Sequence, residues 1–139
     1  TPASSLDVSW DDMPYGGRTK AVLDGRDSGS YLQFFKPNMM ALIIPIPNRH
    51  LRIHALVAPI DDHHTRLTVV GSRDFLPWSV LDPIFNRMNG KIADEDRAVV
   101  ESSFPTEAPP PGAEPSVKTD RATLQFRRYY YETLRGNAA

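Results

Sequence analysis

Residues 92–101 read Ile92-Ala93-Asp94-Glu95-Asp96-Arg97-Ala98-Val99-Val100-Glu101, and this stretch decides how the chain is read. It has the pattern of an amphipathic helix with an acid on its apolar side. Phe85, Met88, Ile92, Val99 and Ser103 fall on three- and four-residue steps, so they share one helical face. Asp96 lies on that face, four residues after Ile92 and three before Val99. Asp94, Glu95, Arg97 and Glu101 turn away from it. A carboxylate facing a core is costly unless it is hydrogen-bonded, paired or metal-bound. Asp96 is therefore expected to have a partner, either an arginine such as Arg66, Arg73 or Arg87, or a cation.

Working outward, Asp82-Pro83 opens the helix, because Asp suits the N-cap and Pro the first helical position. The helix is expected over about 82–103, with Gly90 weakening it locally. Upstream, Leu51, Ile53, Ala55 and Val57 alternate with His50, Arg52 and His54, the period of a half-buried strand. Asp61-Asp62-His63-His64 is a polar turn and Thr65 to Val70 a second β-rich segment, so 50–73 reads as an antiparallel hairpin. Met39 to Ile46 and Tyr31 to Phe35 read as strands. Asp7 to Leu23 reads as strand, turn, strand, followed by a turn cluster from Asp24 to Gly29. Residues 1–6 read as a loose lead-in. Downstream, residues 105–115 hold five of the thirteen prolines and form an extended connector. A polyproline docking segment is the other reading of that run. A closing helix is expected over about 120–135, with Ala122, Phe126, Tyr129 and Tyr130 near one face. Strands over about 7–75 followed by helices predict one α+β unit, residues 1–139, with an antiparallel sheet.

Composition narrows the classes. The 139 residues are 40% hydrophobic, with net charge −1 and a pI near 6.4. No basic footprint for nucleic acid is present. Arg127-Arg128 beside Tyr129-Tyr130-Tyr131 fits an amphipathic helix with solvated arginines. No apolar run reaches the roughly 20 residues of a membrane span. The chain has no cysteine, which excludes disulfides, thiolate metal sites and cysteine nucleophiles within it. A cytoplasmic protein is expected. The start at Thr1, without Met or a signal pattern, leads us to expect a processed or partial chain.

From Arg49 onward the sequence resembles a known family. The words are Ala58-Pro59-Ile60-Asp61, His64-Thr65-Arg66-Leu67 and Ser72-Arg73-Asp74-Phe75. They lead through Asn86 to Asn89 into Asp94-Glu95-Asp96-Arg97-Ala98-Val99-Val100-Glu101, and then to Asp120-Arg121 and Phe126-Arg127-Arg128. In order and spacing they are similar to the C-terminal part of the catalytic domain of Rieske non-heme iron oxygenases, in the vanillate demethylase-like, ring-hydroxylating branch. The resemblance implies a helix-grip (START/Bet v1-like) fold, an antiparallel sheet around a long C-terminal helix, here as a partial domain. It implies a mononuclear Fe(II) held by two His and one carboxylate, the carboxylate falling at Asp96. It places Phe85, Asn89 and Ile92 near the substrate, with Asn89 the better pocket residue because it is polar. It further implies a [2Fe-2S] Rieske cluster, a reductase or ferredoxin, a homotrimer, and O2 with a small aromatic or apolar substrate that is hydroxylated or oxidatively demethylated.

The departures are equally specific. The family's Asp-x-x-His-x-x-x-x-His segment is absent, and so are the cluster's cysteines. The chain then reads as a C-terminal fragment of a larger subunit, inactive by itself and prone to self-association through an exposed sheet edge. Local histidines do not replace the missing pair. His50 and His54 on a strand are about 13 Å apart at about 3.3 Å per residue, with Arg52 between them. His63 and His64 are solvent-exposed turn residues. The alternative, a stand-alone helix-grip domain binding a small hydrophobic ligand without chemistry, stays open at this point.

Overall fold

Alternating and apolar segments of this kind form strands that pair in sequence order. In the computed structural model, which describes residues 5–104 and 107–136, they build one six-stranded antiparallel sheet. The strands are β1 (Leu6–Met13), β2 (Gly16–Leu23), β3 (Arg26–Phe35), β4 (Met39–Ile46), β5 (Arg49–Pro59) and β6 (Thr65–Arg73), ordered β1-β2-β3-β4-β5-β6. Two helices follow, α1 (Asp82–Glu101) and α2 (Arg121–Tyr129), the second running on into π-helical turns at Tyr130–Arg135. The fold is α+β and helix-grip-like, as the strand-then-helix order requires. Most of the loose lead-in expected at 1–6, and residues 105–106 of the proline connector, lie outside the described residues.

The second hairpin turn is tighter than the sequence suggests. β3 begins at Arg26, and the turn is only Asp24-Gly25. Both residues have positive φ, +50° and +72°. That is the twist-compatible two-residue turn for which Asp-Gly is suited. The hairpin expected at 50–73 is present, with Ile53 opposite Gly71 and Ala55 opposite Val69.

Residues directly opposite each other in an antiparallel sheet point to the same side. One row therefore crosses the whole sheet: Trp10, Thr19, Leu32, Leu42, Ile53 and Gly71. α1 touches this face at the β6 end and α2 touches it at the β1 end. Phe34, on the same face, meets Phe126 edge-on at 5.4 Å and Tyr129 at 6.1 Å. Such aromatic pairs add to plain area burial. The middle of the face is covered by neither helix, and Met40 remains 36% exposed there. Among the described residues only Phe34, Ala41 and Ile43 are buried apolar residues, and Ala41 and Ile43 alternate to the opposite face.

At the α2 end the sheet depends on a missing side chain. The Trp10 ring lies flat across Gly17, and a Cβ at that position would overlap it. Gly17→Ala is expected to evict the indole at a cost of about 2 kcal/mol, the scale of overpacking. The checks are a lower melting temperature and a shifted tryptophan emission. A variant that melts like the parent would show that the ring does not occupy this position.

Candidate functional site

The position of α1 is set where it leaves the sheet. Asp82 was expected as the N-cap, but the helix is preceded by a 3-10 turn, Ser79–Leu81, and Leu81 holds the cap position without a side-chain cap. The Asp82 carboxylate is instead taken by Arg73 at the end of β6, at 2.6 Å. Arg73 also donates to the carbonyls of Leu76 and Trp78, at 3.2 and 3.5 Å. Its guanidinium lies 4.3 Å from the centre of the Phe85 ring. Charge-assisted bonds to a planar fork give this contact direction as well as strength.

This arrangement revises the reading of the helix face. The half-buried positions toward the sheet are Phe85, Asn89 and Ala93, and no residue of α1 is buried. Met88 is 56% exposed and Val99 68%. Of the stripe named by the three- and four-residue steps, Phe85 alone is half-buried while Met88, Ile92 and Val99 are exposed, because the sheet covers only one flank of the helix. Asp96 is exposed rather than core-facing. None of Arg66, Arg73 and Arg87 pairs with it. Arg73 is committed to Asp82, and the outward acids Glu95 and Glu101 pair with Lys91 and Arg97.

Between α1 and the β5–β6 hairpin lies an apolar cleft of about 100 Å3. Ile53, Ala55, Leu67, Val69, Ile92 and Ala93 form its walls, and Asn89 and Asp96 are the two polar residues on it. Asn89, Ile92 and Asp96 thus line one cleft. Phe85 is not on the cleft. It packs edge-on with Phe75 at 6.2 Å beneath Arg73, which makes it an anchor for the helix. Gly71 was missed by the sequence reading. It faces Asn89, and a Cβ there would lie 2.6 Å from Nδ2. A glycine inside a strand is the signal that marks such a close approach.

A larger cleft, about 170 Å3, lies at the other end of the sheet beside α2. Its charges are mixed, Lys36 and Arg128 against Asp12 and Glu132, and Lys36 is held 4.7 Å over the Tyr129 ring. Nearby, Arg127 is not the solvated arginine expected. It binds Glu114 at 3.1 Å, while Tyr131 donates to the carbonyl of Ala108 and Arg135 binds Glu107. These contacts tie the proline-rich connector to the closing helix.

Three of the four histidines bind carboxylates at a turn or a strand end. His63 and His64 donate main-chain N–H groups to Asp61, and the His64 ring also reaches it. The His63 N–H first, then the His64 ring, hold the Asp61 carboxyl below its ordinary 3.8. The Asp74 carboxyl is lowered chiefly by the main-chain N–H of His50 and further by its ring. A carboxylate lowered on folding stabilises above its unfolded pKa, and that contribution disappears as pH falls through the lowered value. The His50–Asp74 link is therefore expected to persist through the ordinary carboxylate range and to release only as pH falls below it. Side-chain NMR titration of Asp74 checks this, and a midpoint at or above the ordinary carboxylate value would contradict it.

Among the described residues no group of three His, Cys, Asp or Glu could hold a metal ion. Asp96 supplies at most one ligand of a three-residue iron site, so the residues present do not by themselves fit that site. Among the described residues no helix is long and apolar enough to cross a membrane. The family model for the vanillate O-demethylase oxygenase C-terminal domain matches residues 30–135. No curated protein matches the chain.

Proposed function

The chain belongs to the vanillate O-demethylase oxygenase C-terminal domain family, and on that premise we propose that it is the part of a Rieske-type oxygenase that closes one side of the substrate and iron site. The observation that carries this reading is the position of Asp96. It stands at an apolar cleft in the segment where the resemblance places a metal ligand, and no basic side chain among the described residues claims it.

In this reading Asp96 is the carboxylate ligand of a mononuclear Fe(II), a hard oxygen donor that leaves positions free. The two His ligands come from elsewhere in the intact enzyme. Bound iron would supply the oxygen activation in a hydroxylation or oxidative demethylation of a small aromatic or apolar molecule. This chain's own contribution is to bind and orient. Ile92 and the β5–β6 side chains exclude water from the substrate, and Asn89 offers it one amide. The [2Fe-2S] cluster, the reductase or ferredoxin, the homotrimer and a cytoplasmic location belong to the same proposal.

The test is metal analysis of the intact subunit after anaerobic Fe(II) loading, parent against Asp96→Ala, with cluster iron counted separately. Selective loss of mononuclear iron is expected. Unchanged mononuclear iron would overturn the reading. It would favour the second one, a helix-grip domain that binds a small hydrophobic ligand without chemistry, for which the apolar cleft itself is the supporting observation.

A further inference from the structure

An apolar cleft with few polar groups takes its selectivity from those groups. Here they are Asn89 and Asp96, both on α1 and seven residues apart. Seven residues are two helical turns, about 10 Å along the axis. If Asp96 is committed to a metal, as proposed above, Asn89 is the one polar side chain left on the cleft to read a ligand.

What lets Asn89 lie against β6 is the absence of a side chain there. Gly71 sits on the face that carries Ile53 and faces α1. A Cβ there would lie 2.6 Å from Asn89 Nδ2 and 3.7 Å from its Cγ. Real carbons do not approach so closely, so the carboxamide would have to move. The strand itself would not, because the obstructing atom is the tip of a rotatable side chain and Gly71 has no positive φ. An alanine at position 71 therefore swings the amide without needing to break the sheet.

We propose that Gly71 is a specificity-determining position: by lacking a side chain it lets the Asn89 carboxamide lie against β6 at the cleft, where it recognises a hydrogen-bonding substituent on a small aromatic ring. A carboxamide both donates and accepts and no basic side chain lines the cleft, so the matching substituent is a neutral hydroxyl, as in phenols. The spacing to Asp96 leaves room for one ring between the two polar groups. A ligand without the substituent leaves the amide unpaired on binding, which is how a polar group in an apolar site discriminates. This inference rests on the reading of the cleft as a substrate site.

The experiment uses the iron-loaded intact subunit and a near-isosteric probe pair, p-cresol and p-xylene, with dissociation constants from equilibrium dialysis. The ratio of the two constants in the parent is the reference. Gly71→Ala and Asn89→Leu are each expected to lower the preference for p-cresol about 10-fold, the worth of one hydrogen bond. The double variant Gly71→Ala/Asn89→Leu is expected to lower it no further, because both changes remove one amide contact. A preference unchanged in folded Gly71→Ala, or independent effects that multiply in the double variant, would overturn the proposal. Should Gly71→Ala alone fail to fold, Gly71→Ala/Asn89→Ala removes the clash. Its recovery would support the contact, and its failure to fold would refute it. Mononuclear iron is measured in every sample. Its retention with unchanged selectivity sinks this inference alone, whereas iron indifferent to Asp96→Ala sinks the oxygenase reading.

Discussion

On the reading proposed above, Asp96→Ala is expected to empty the mononuclear iron site of the intact subunit while leaving the domain as stable as the parent. The two halves of that result have separate causes. Asp96 is exposed and forms none of the ion pairs of α1, which go to Asp82, Glu95 and Glu101. Truncating an exposed, unpaired side chain normally changes stability by less than about 0.5 kcal/mol. Loss of metal affinity should instead be large. Changes in the outer shell of a metal site already cost about 10- to 100-fold, and Asp96 in this reading is one of only three protein ligands. Affinity should therefore fall by more than about 100-fold, with activity following it. Asp96→Asn is the sharper variant, since it keeps the shape and removes the charge. Iron retained by Asp96→Asn with full activity would remove the carboxylate from the site.

The sheet was legible in the sequence because strand signals are local. The alternation through Leu51, Ile53, Ala55 and Val57 fixed which side of β5 faces inward, and pairing then carried that side across to Leu42 and Gly71. The helix face was less legible. A period of 3.6 gives the direction of a stripe, but it does not say what lies beneath each turn. Met88 and Val99 share the stripe with Ile92, yet they lie off the covered flank and remain largely exposed. The same gap explains Asp96. The pattern that singled it out assumed a continuous core, whereas the helix has cover on one flank only. Asp82 failed as a cap for a tertiary reason: Arg73, nine residues earlier, offered the carboxylate a charged fork. Gly71 carried a readable signal, an isolated glycine in a β-branched strand, but its neighbour on α1 is a long-range contact that no local pattern names.

Arg73→Leu is expected to produce the opposite signature to Asp96→Ala, with large destabilisation and only secondary loss of iron. The Arg73 side chain is 15% exposed and gathers Asp82, the carbonyls of Leu76 and Trp78, and the Phe85 ring around one guanidinium. These groups span the whole connection from β6 into α1. A hydrogen bond to a charged group contributes about 1.5 to 3 kcal/mol, but Asp82 is half-exposed and regains water when it is released. The net loss should be about 2 to 3 kcal/mol, or several degrees of melting temperature for a domain of this size. Arg73→Lys should recover less than half of it, because an ammonium cannot serve the carboxylate and two carbonyls in one plane. Asp82→Asn should cost less than Arg73→Leu, since the carbonyl and ring contacts survive. Chemical denaturation of the three variants under identical conditions gives this order. An Arg73→Leu variant as stable as the parent would mean that α1 is positioned by its apolar contacts alone. In that case Asn89 and Asp96 would depend on the flank of α1 that packs on β5 and β6 for their positions at the cleft.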